Sequence, residues 1–206
     1  MIDEWTRRAR ELMAADGRAI LGIVGPPGAG KSTLAERIVA GIGSQDAVSL
    51  PMDGYHFSNK VLDELGLRRR KGAIDTFDGH GYLSLLRRLR DPATGGHTVL
   101  APAFDRALDE PIAARIQIAP SARLIVTEGN YLLDVNEPWS ELRPLFDAVW
   151  YVDLDDDVRR ARLRARHEAF GRSPAEAAAW VASVDEPNAR RIMATRARAD
   201  LVIHAD

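Results

Sequence analysis

Gly25-Pro26-Pro27-Gly28-Ala29-Gly30-Lys31-Ser32 matches G-x-x-x-x-G-K-S at every fixed position. The residues just before it, 19–24, read A-I-L-G-I-V and stop at the loop. A continuous apolar run of that length marks a strand buried on both faces. Residues 31–42 then carry a helical pattern. Strand, glycine-rich loop and helix, in that order, make a phosphate cradle. The glycines let the loop bend and bring backbone N–H groups onto a β-phosphate without side chains in the way. Lys31 reaches the β- and γ-phosphates, and the Ser32 hydroxyl is placed for Mg²⁺. The positive end of the following helix faces the same phosphates. The expected nucleotide-binding residues are therefore Gly25, Pro26, Pro27, Gly28, Ala29, Gly30, Lys31, Ser32 and Thr33. ATP and Mg²⁺ are the expected cofactors.

Outward from this loop, short apolar runs alternate with amphipathic ones. Strands are expected at 47–52, 98–101, 124–127, 148–154 and 201–204 besides the first. Helices are expected at 5–15, 60–67, 81–89, 139–142 and 156–170, with two more after Pro174 and Ser173 as the cap of the first. Such alternation predicts one α/β domain over residues 1–206, a P-loop NTPase fold with a parallel sheet of about five strands flanked by helices. The region about 155–175 is expected to form a helical lid.

Composition bounds the rest. A chain of 206 residues buries roughly 70% of the surface its unfolded form exposes and needs no covalent staple. The formal net charge of −2 argues against a nucleic-acid or membrane-surface protein. The chain has no cysteine, which excludes disulfides and thiolate metal sites and fits a reducing compartment. Residues 1–10 have no signal-like apolar core, and no apolar run is long enough to span a bilayer. A cytoplasmic location is expected, and a homodimer is left open.

Two further strand ends carry carboxylates. Residues 47–52 lead to Asp53-Gly54-Tyr55-His56, and in open α/β sheets the positions beyond the C-terminal strand ends face the ligand crevice. A carboxylate there can orient an acceptor hydroxyl and take its proton. Residues 124–127 lead to Glu128-Gly129 in the manner of a Walker B strand, whose acid holds Mg²⁺. Gly129 is read as letting backbone pass close to a ligand. Arg159, Arg160, Arg162, Arg164 and Arg166 crowd one predicted helix, with Arg162 and Arg166 on a shared face. Arginines on a lid neutralise a transferring phosphoryl group.

A literal D-x-x-G at Asp78–Gly81 invites a GTPase reading, but no apolar strand leads into it, and Asn59-Lys60-Val61-Leu62 lacks the guanine-reading Asp. The five histidines lack metal-ligand spacing. Asn188 either contacts the nucleotide base or caps the following helix. The residues point to a small-molecule kinase, with an ATP-binding sensor as the alternative from another class.

With these residues assembled, the chain resembles the pantothenate kinase, uridine kinase and phosphoribulokinase superfamily over nearly its whole length. The resemblance rests on the phosphate loop, Met52-Asp53-Gly54-Tyr55-His56-Phe57, the 67–77 segment, Glu128-Gly129-Asn130-Tyr131 and the 162–170 segment. The short length and Pro102-Ala103-Phe104-Asp105-Arg106 look most like the bacterial fructose transport system kinases. The resemblance implies Asp53 as general base, Lys31 with Arg162 and Arg166 in catalysis, and Ser32 with Glu128 at the metal. It also implies Asp53, His56, Lys71, Asp105 and Arg106 near the acceptor. Phe104-Asp105-Arg106 stands where pantothenate kinases have Tyr-Ser-His, and Arg159 where the lid usually has Tyr, so pantothenate is disfavoured. A polar pocket with Asp and Arg suits a polyhydroxylated acceptor, fructose among them. A uridine-type nucleoside, or else pantothenate, is the alternative acceptor within the enzyme class.

Overall fold

The computed structural model describes residues 3–14, 17–94 and 96–205. Its main sheet has five strands in the order β2-β5-β1-β6-β7: β1 Ala19–Val24, β2 Ala47–Pro51, β5 Leu124–Gly129, β6 Ala148–Asp153 and β7 Leu201–His204. All four pairings are parallel. Every residue of β1 and β5 is buried, as the unbroken apolar runs imply for central strands. Side chains alternate between two cores. Ile20, Val24, Leu50, Ile125 and Val149 join one cluster, while Leu21, Ile23, Val126 and Trp150 join the other.

Helices cover both faces: α1 Glu4–Leu12, α2 Lys31–Ile42, α3 Asn59–Glu64, α4 Gly79–Arg90, α5 Asp156–Ala169, α6 Pro174–Trp180 and α7 Glu186–Met193. The predicted first helix ends three residues early, and its expected last residue, Ala15, lies outside the described residues. Asp78 is the N-cap of α4, its Oδ1 accepting from the Gly81 N–H at 2.8 Å, so the D-x-x-G match is a helix start. Ser173 caps α6 in a full capping box with Glu176. The helix expected at 139–142 is instead a pair of 3₁₀ turns, Trp139–Glu141 and Arg143–Leu145.

One strand expectation is corrected. Residues 98–101 do not join the parallel sheet. They open β3, Val99–Asp105, which pairs antiparallel with β4, Glu110–Ile118, in a separate hairpin. A short connection between two extended runs favours a hairpin over a crossover, which needs a dozen or more residues.

Candidate active site

The C-terminal ends of β1, β2 and β5 lie side by side, and each delivers one part of the site. Register pairs Glu128 with Ile23 on one side and Pro51 on the other. Glu128 therefore lies between the strand that feeds the phosphate loop and the strand that feeds Asp53. From Pro51 the chain enters a 3₁₀ turn, Met52–Tyr55, which carries Asp53 beyond the sheet edge.

The loop is shaped for phosphates. Gly28 has φ +83°, and a Cβ there would sit 2.9 Å from Leu163 Cγ and 3.1 Å from the Arg159 carbonyl oxygen. Glycine is the residue that satisfies both constraints. Lys31 is 8% exposed, and its Nζ donates to the Pro26 carbonyl at 3.2 Å. Burial pulls the Lys31 ammonium below its usual range, although Glu128 and Asp53 push it back up. Ser32 Oγ donates to Glu128 Oε1 at 2.8 Å. Burial, and then the like charge of Asp53, hold the Glu128 carboxyl above its usual range. A buried ammonium with no ion pair among the described residues, beside a glycine-rich turn and a helix N-terminus, fits a polyphosphate. Ser32 and Glu128 supply two oxygen donors, suited to a cation that takes its other ligands from phosphates and water.

Two cavities flank this centre. One, about 760 Å³, runs over Gly28–Thr33 toward Arg162, Ile203 and Ala205. The other, about 710 Å³, is bounded by Asp53, His56, Phe104, Asn130 and Asp185. Gly28, Lys31, Ser32, Arg106 and Arg166 line both, so the cavities meet at the phosphate loop. Arg162 and Arg166 line the same cleft, as a shared helix face requires. The Arg166 guanidinium has no hydrogen bond or ion pair among the described residues. Burial, with Arg106 adding to it, pulls its guanidinium below the usual range, while Asp185 pushes back.

The predicted acceptor residues divide. Asp53 lines the second cavity, with Arg106 Nη2 3.9 Å from its carboxylate. His56 stacks between Phe77 and Phe104, with centroids 4.0 and 4.9 Å away. Its Nδ1 lies 2.8 Å from the Asp53 carbonyl, which can only accept, so Nδ1 carries the proton and Nε2 is left as an acceptor. Burial pulls His56 below its usual range, consistent with that neutral ring.

Lys71 also lines the cavity, but its three N–H groups go to Asn59 Oδ1 at 2.7 Å, the Asp109 carbonyl at 2.5 Å and Asp109 Oδ2 at 2.9 Å. It acts as a tether for the β3–β4 turn.

Asp105 is a correction. It lies outside the cavity lining, and its carboxylate accepts from the Ala107 and Leu108 N–H groups and pairs with Arg115. The close approach at Gly129 is likewise to Met52, whose Cβ would lie 2.6 Å from an added Cβ, and not to a ligand. Arg159 is fully buried and ion-paired with Asp156 and Glu186, a structural role within the lid. Asn188 lines the second cavity and not the first, and donates to the Gly72 carbonyl at 3.2 Å; it lies within α7, so it caps no helix.

Sequence reasoning missed His167, Arg172, Trp180 and Asp185, which form one wall of the second cavity. Their contacts span up to 18 positions and cross a π-helical turn, Val181–Asp185, that no periodicity announces.

Residues 20–205 match the profile of the "Phosphoribulokinase / Uridine kinase family". The protein named "Putative uridine kinase C227.14" of Schizosaccharomyces pombe is 36% identical over 177 residues, 82% of this chain and 74% of that one. The "ATP-dependent kinase-like protein notR'" of Aspergillus versicolor is 41% identical over 152 residues, 70% of this chain and 88% of that one. The crystal structure of a "putative fructose transport system kinase" from Silicibacter sp. TM1040 superposes with a TM-score of 0.85 at 33% identity, covering 98% and 99% of the two chains. The phosphate loop, the neighbouring acids and these likenesses agree: the chain belongs to the phosphoribulokinase and uridine kinase family of P-loop kinases.

Proposed function

We propose that the protein transfers the γ-phosphoryl group of Mg-ATP to a hydroxyl of a small polyhydroxylated metabolite, a sugar such as fructose. The observation that carries the reading is the junction of the two cavities at Lys31 and Ser32, with the Asp53 carboxylate on the wall of the second. Mg²⁺, held by Ser32 and Glu128 together with phosphate oxygens, would supply charge neutralisation. Asp53 orients the acceptor hydroxyl and takes its proton as the oxygen bonds to phosphorus and the bond to the ADP oxygen breaks. Lys31, Arg162 and Arg166 face the charge that develops on the transferred group.

The sugar reading draws support from the polar groups around Asp53. The His56 Nε2 accepts, Arg106 donates and Asn130 does both, a set that suits a ligand with several hydroxyls. A uridine-type nucleoside is the second reading, supported by Phe170, which is 61% exposed and lines the same cavity as a free aromatic face.

The test is a mass-spectrometric screen of the protein with Mg-ATP against sugars, nucleosides and pantothenate, with Asp53→Asn as control. A product one phosphoryl group heavier, absent with the variant, identifies the acceptor. Phosphate release with no such product from a wider metabolite extract would favour an ATPase or sensor.

A further inference from the structure

Four side chains on the far wall of the second cavity have no part in the transfer just described, and they form one line. The Arg172 guanidinium lies 3.7 Å over the Trp180 ring. Arg172 Nη1 is 3.3 Å from His167 Nδ1, and His167 Nε2 is 2.8 Å from Asp185 Oδ2. A guanidinium can only donate, so Nδ1 accepts and Nε2 carries the proton that is donated to Asp185. Both nitrogens of His167 are thereby occupied, and its ring fixes the orientation of the Asp185 carboxylate.

Asp185 itself is 7% exposed and lines the cavity. It lies within an unbroken helical run, with φ −68° and ψ −39°, so its carboxylate is not drawn into capping a helix end. It forms no ion pair with Arg166 either, although its charge is felt there. Its Oδ1 has no hydrogen-bond donor among the described residues and opens on the cavity, where a ligand hydroxyl can reach it. The preceding π-helical turn, Val181–Asp185, re-aims the backbone at this residue, and such turns recur at functional sites.

Building on the kinase reading above, we propose that Asp185 is a specificity-determining residue whose Oδ1 accepts a hydrogen bond from a second hydroxyl of the acceptor. His167 and Arg172 are positioning residues. Asp53 engages the hydroxyl that receives the phosphoryl group and Asp185 engages another, which selects a polyol over a lone alcohol.

The experiment uses D-fructose and its monodeoxy analogues, with uridine in parallel, and measures KM and kcat for acceptor and ATP separately. Asp185→Asn is expected to raise the acceptor KM about tenfold or more while the ATP KM stays within twofold. One monodeoxy analogue should carry the same penalty with the wild type and gain no further penalty with the variant. His167→Gln, which keeps an N–H near Nε2, should stay close to the wild type, whereas His167→Ala should not.

An acceptor KM within twofold in Asp185→Asn overturns the assignment. So does a fall in kcat common to all acceptors with a raised ATP KM, because Asp185 would then act through Arg166. The paired His167 variants keep the assignment testable if the Asp185 variant fails to fold. No product from any of these acceptors with the wild type overturns the kinase reading on this acceptor class, and is told apart by the wild-type measurement alone.

Discussion

The Ser32 hydroxyl donates to Glu128 Oε1 across 2.8 Å and joins the phosphate loop to the end of β5. Glu128 is 5% exposed, and burial and the neighbouring Asp53 both work against its charge. Lys31, the Ser32 bond and Arg106 offset part of that cost. An arrangement of this kind trades stability for a site ready to receive a cation.

Glu128→Gln is therefore expected to make the free protein more stable and less active. The Glu128 carboxyl sits above 4.5 in the folded protein, so folding retains a proton between that value and the folded one. The group's favourable contribution is complete below 4.5 and is lost as pH rises through its folded value. At neutral pH the carboxylate is a net cost. Its removal should raise Tm at pH 7, an advantage that shrinks as pH falls toward 4.5. Turnover should fall by about 10²–10³. Thermal melts across pH, with and without Mg-ATP, check both halves.

Asp53→Asn is expected to leave ATP binding intact and lower turnover by about 10²–10⁴, the range for loss of a general base. The amide keeps the size of the side chain, and Arg106, half exposed and 3.9 Å away, loses only a solvent-screened ion pair. Calorimetric titration with an ATP analogue, alongside steady-state rates, separates the two effects. Lost ATP affinity would make Asp53 structural.

What the sequence revealed, and what it hid, follows the reach of each signal. Local patterns carried through: the β1 run, the loop and the capping Ser173 each depend on a few neighbouring residues. Glu128 and Asp53 were legible because a parallel sheet places its strand ends at one edge. The hairpin was half hidden. β4 alternates through Ile112, Ile116 and Ile118 but is interrupted at Ala114, which has φ +56°. Asp105 was misplaced by reading Phe104-Asp105-Arg106 as one unit. Asp105 ends β3, and its carboxylate folds back onto the Ala107 and Leu108 N–H groups of the turn, so Phe104 and Arg106 line the cavity and Asp105 does not. The wall formed by His167 and Asp185 needs a fold before its members are neighbours.

Arg159→Met should destabilise the lid. Arg159 is fully buried and donates to both Asp156 and Glu186. Burial would raise the Glu186 carboxyl, but hydrogen bonds from Arg159 and Arg160 outweigh it and hold it below the usual range. Glu186 keeps Arg160 at 3.2 Å and Asp156 is half exposed, so losing the Arg159 hydrogen bonds should cost about 1–3 kcal/mol and lower Tm by several degrees. Adding Glu186→Gln should recover part of the loss. A double-mutant cycle from thermal melts measures it, and a Tm unchanged in the single variant would contradict the pairing.

Lys71→Met distinguishes a tether from a substrate contact. The Lys71 ammonium uses its three donors on Asn59 and Asp109, bridging α3 to the β3–β4 turn that also carries Arg106. The loss should cost about 1 kcal/mol of stability, because Asp109 is 55% exposed and regains water. A loosened turn lets Arg106 wander, so the KM for every acceptor should rise a few-fold, with the ATP KM unchanged. A residue that touched substrate would instead penalise some acceptors and spare others. Limited proteolysis gives the independent readout: faster cleavage between residues 105 and 110 in the variant marks the tether, and an unchanged cleavage rate with acceptor-selective kinetics would return Lys71 to the substrate.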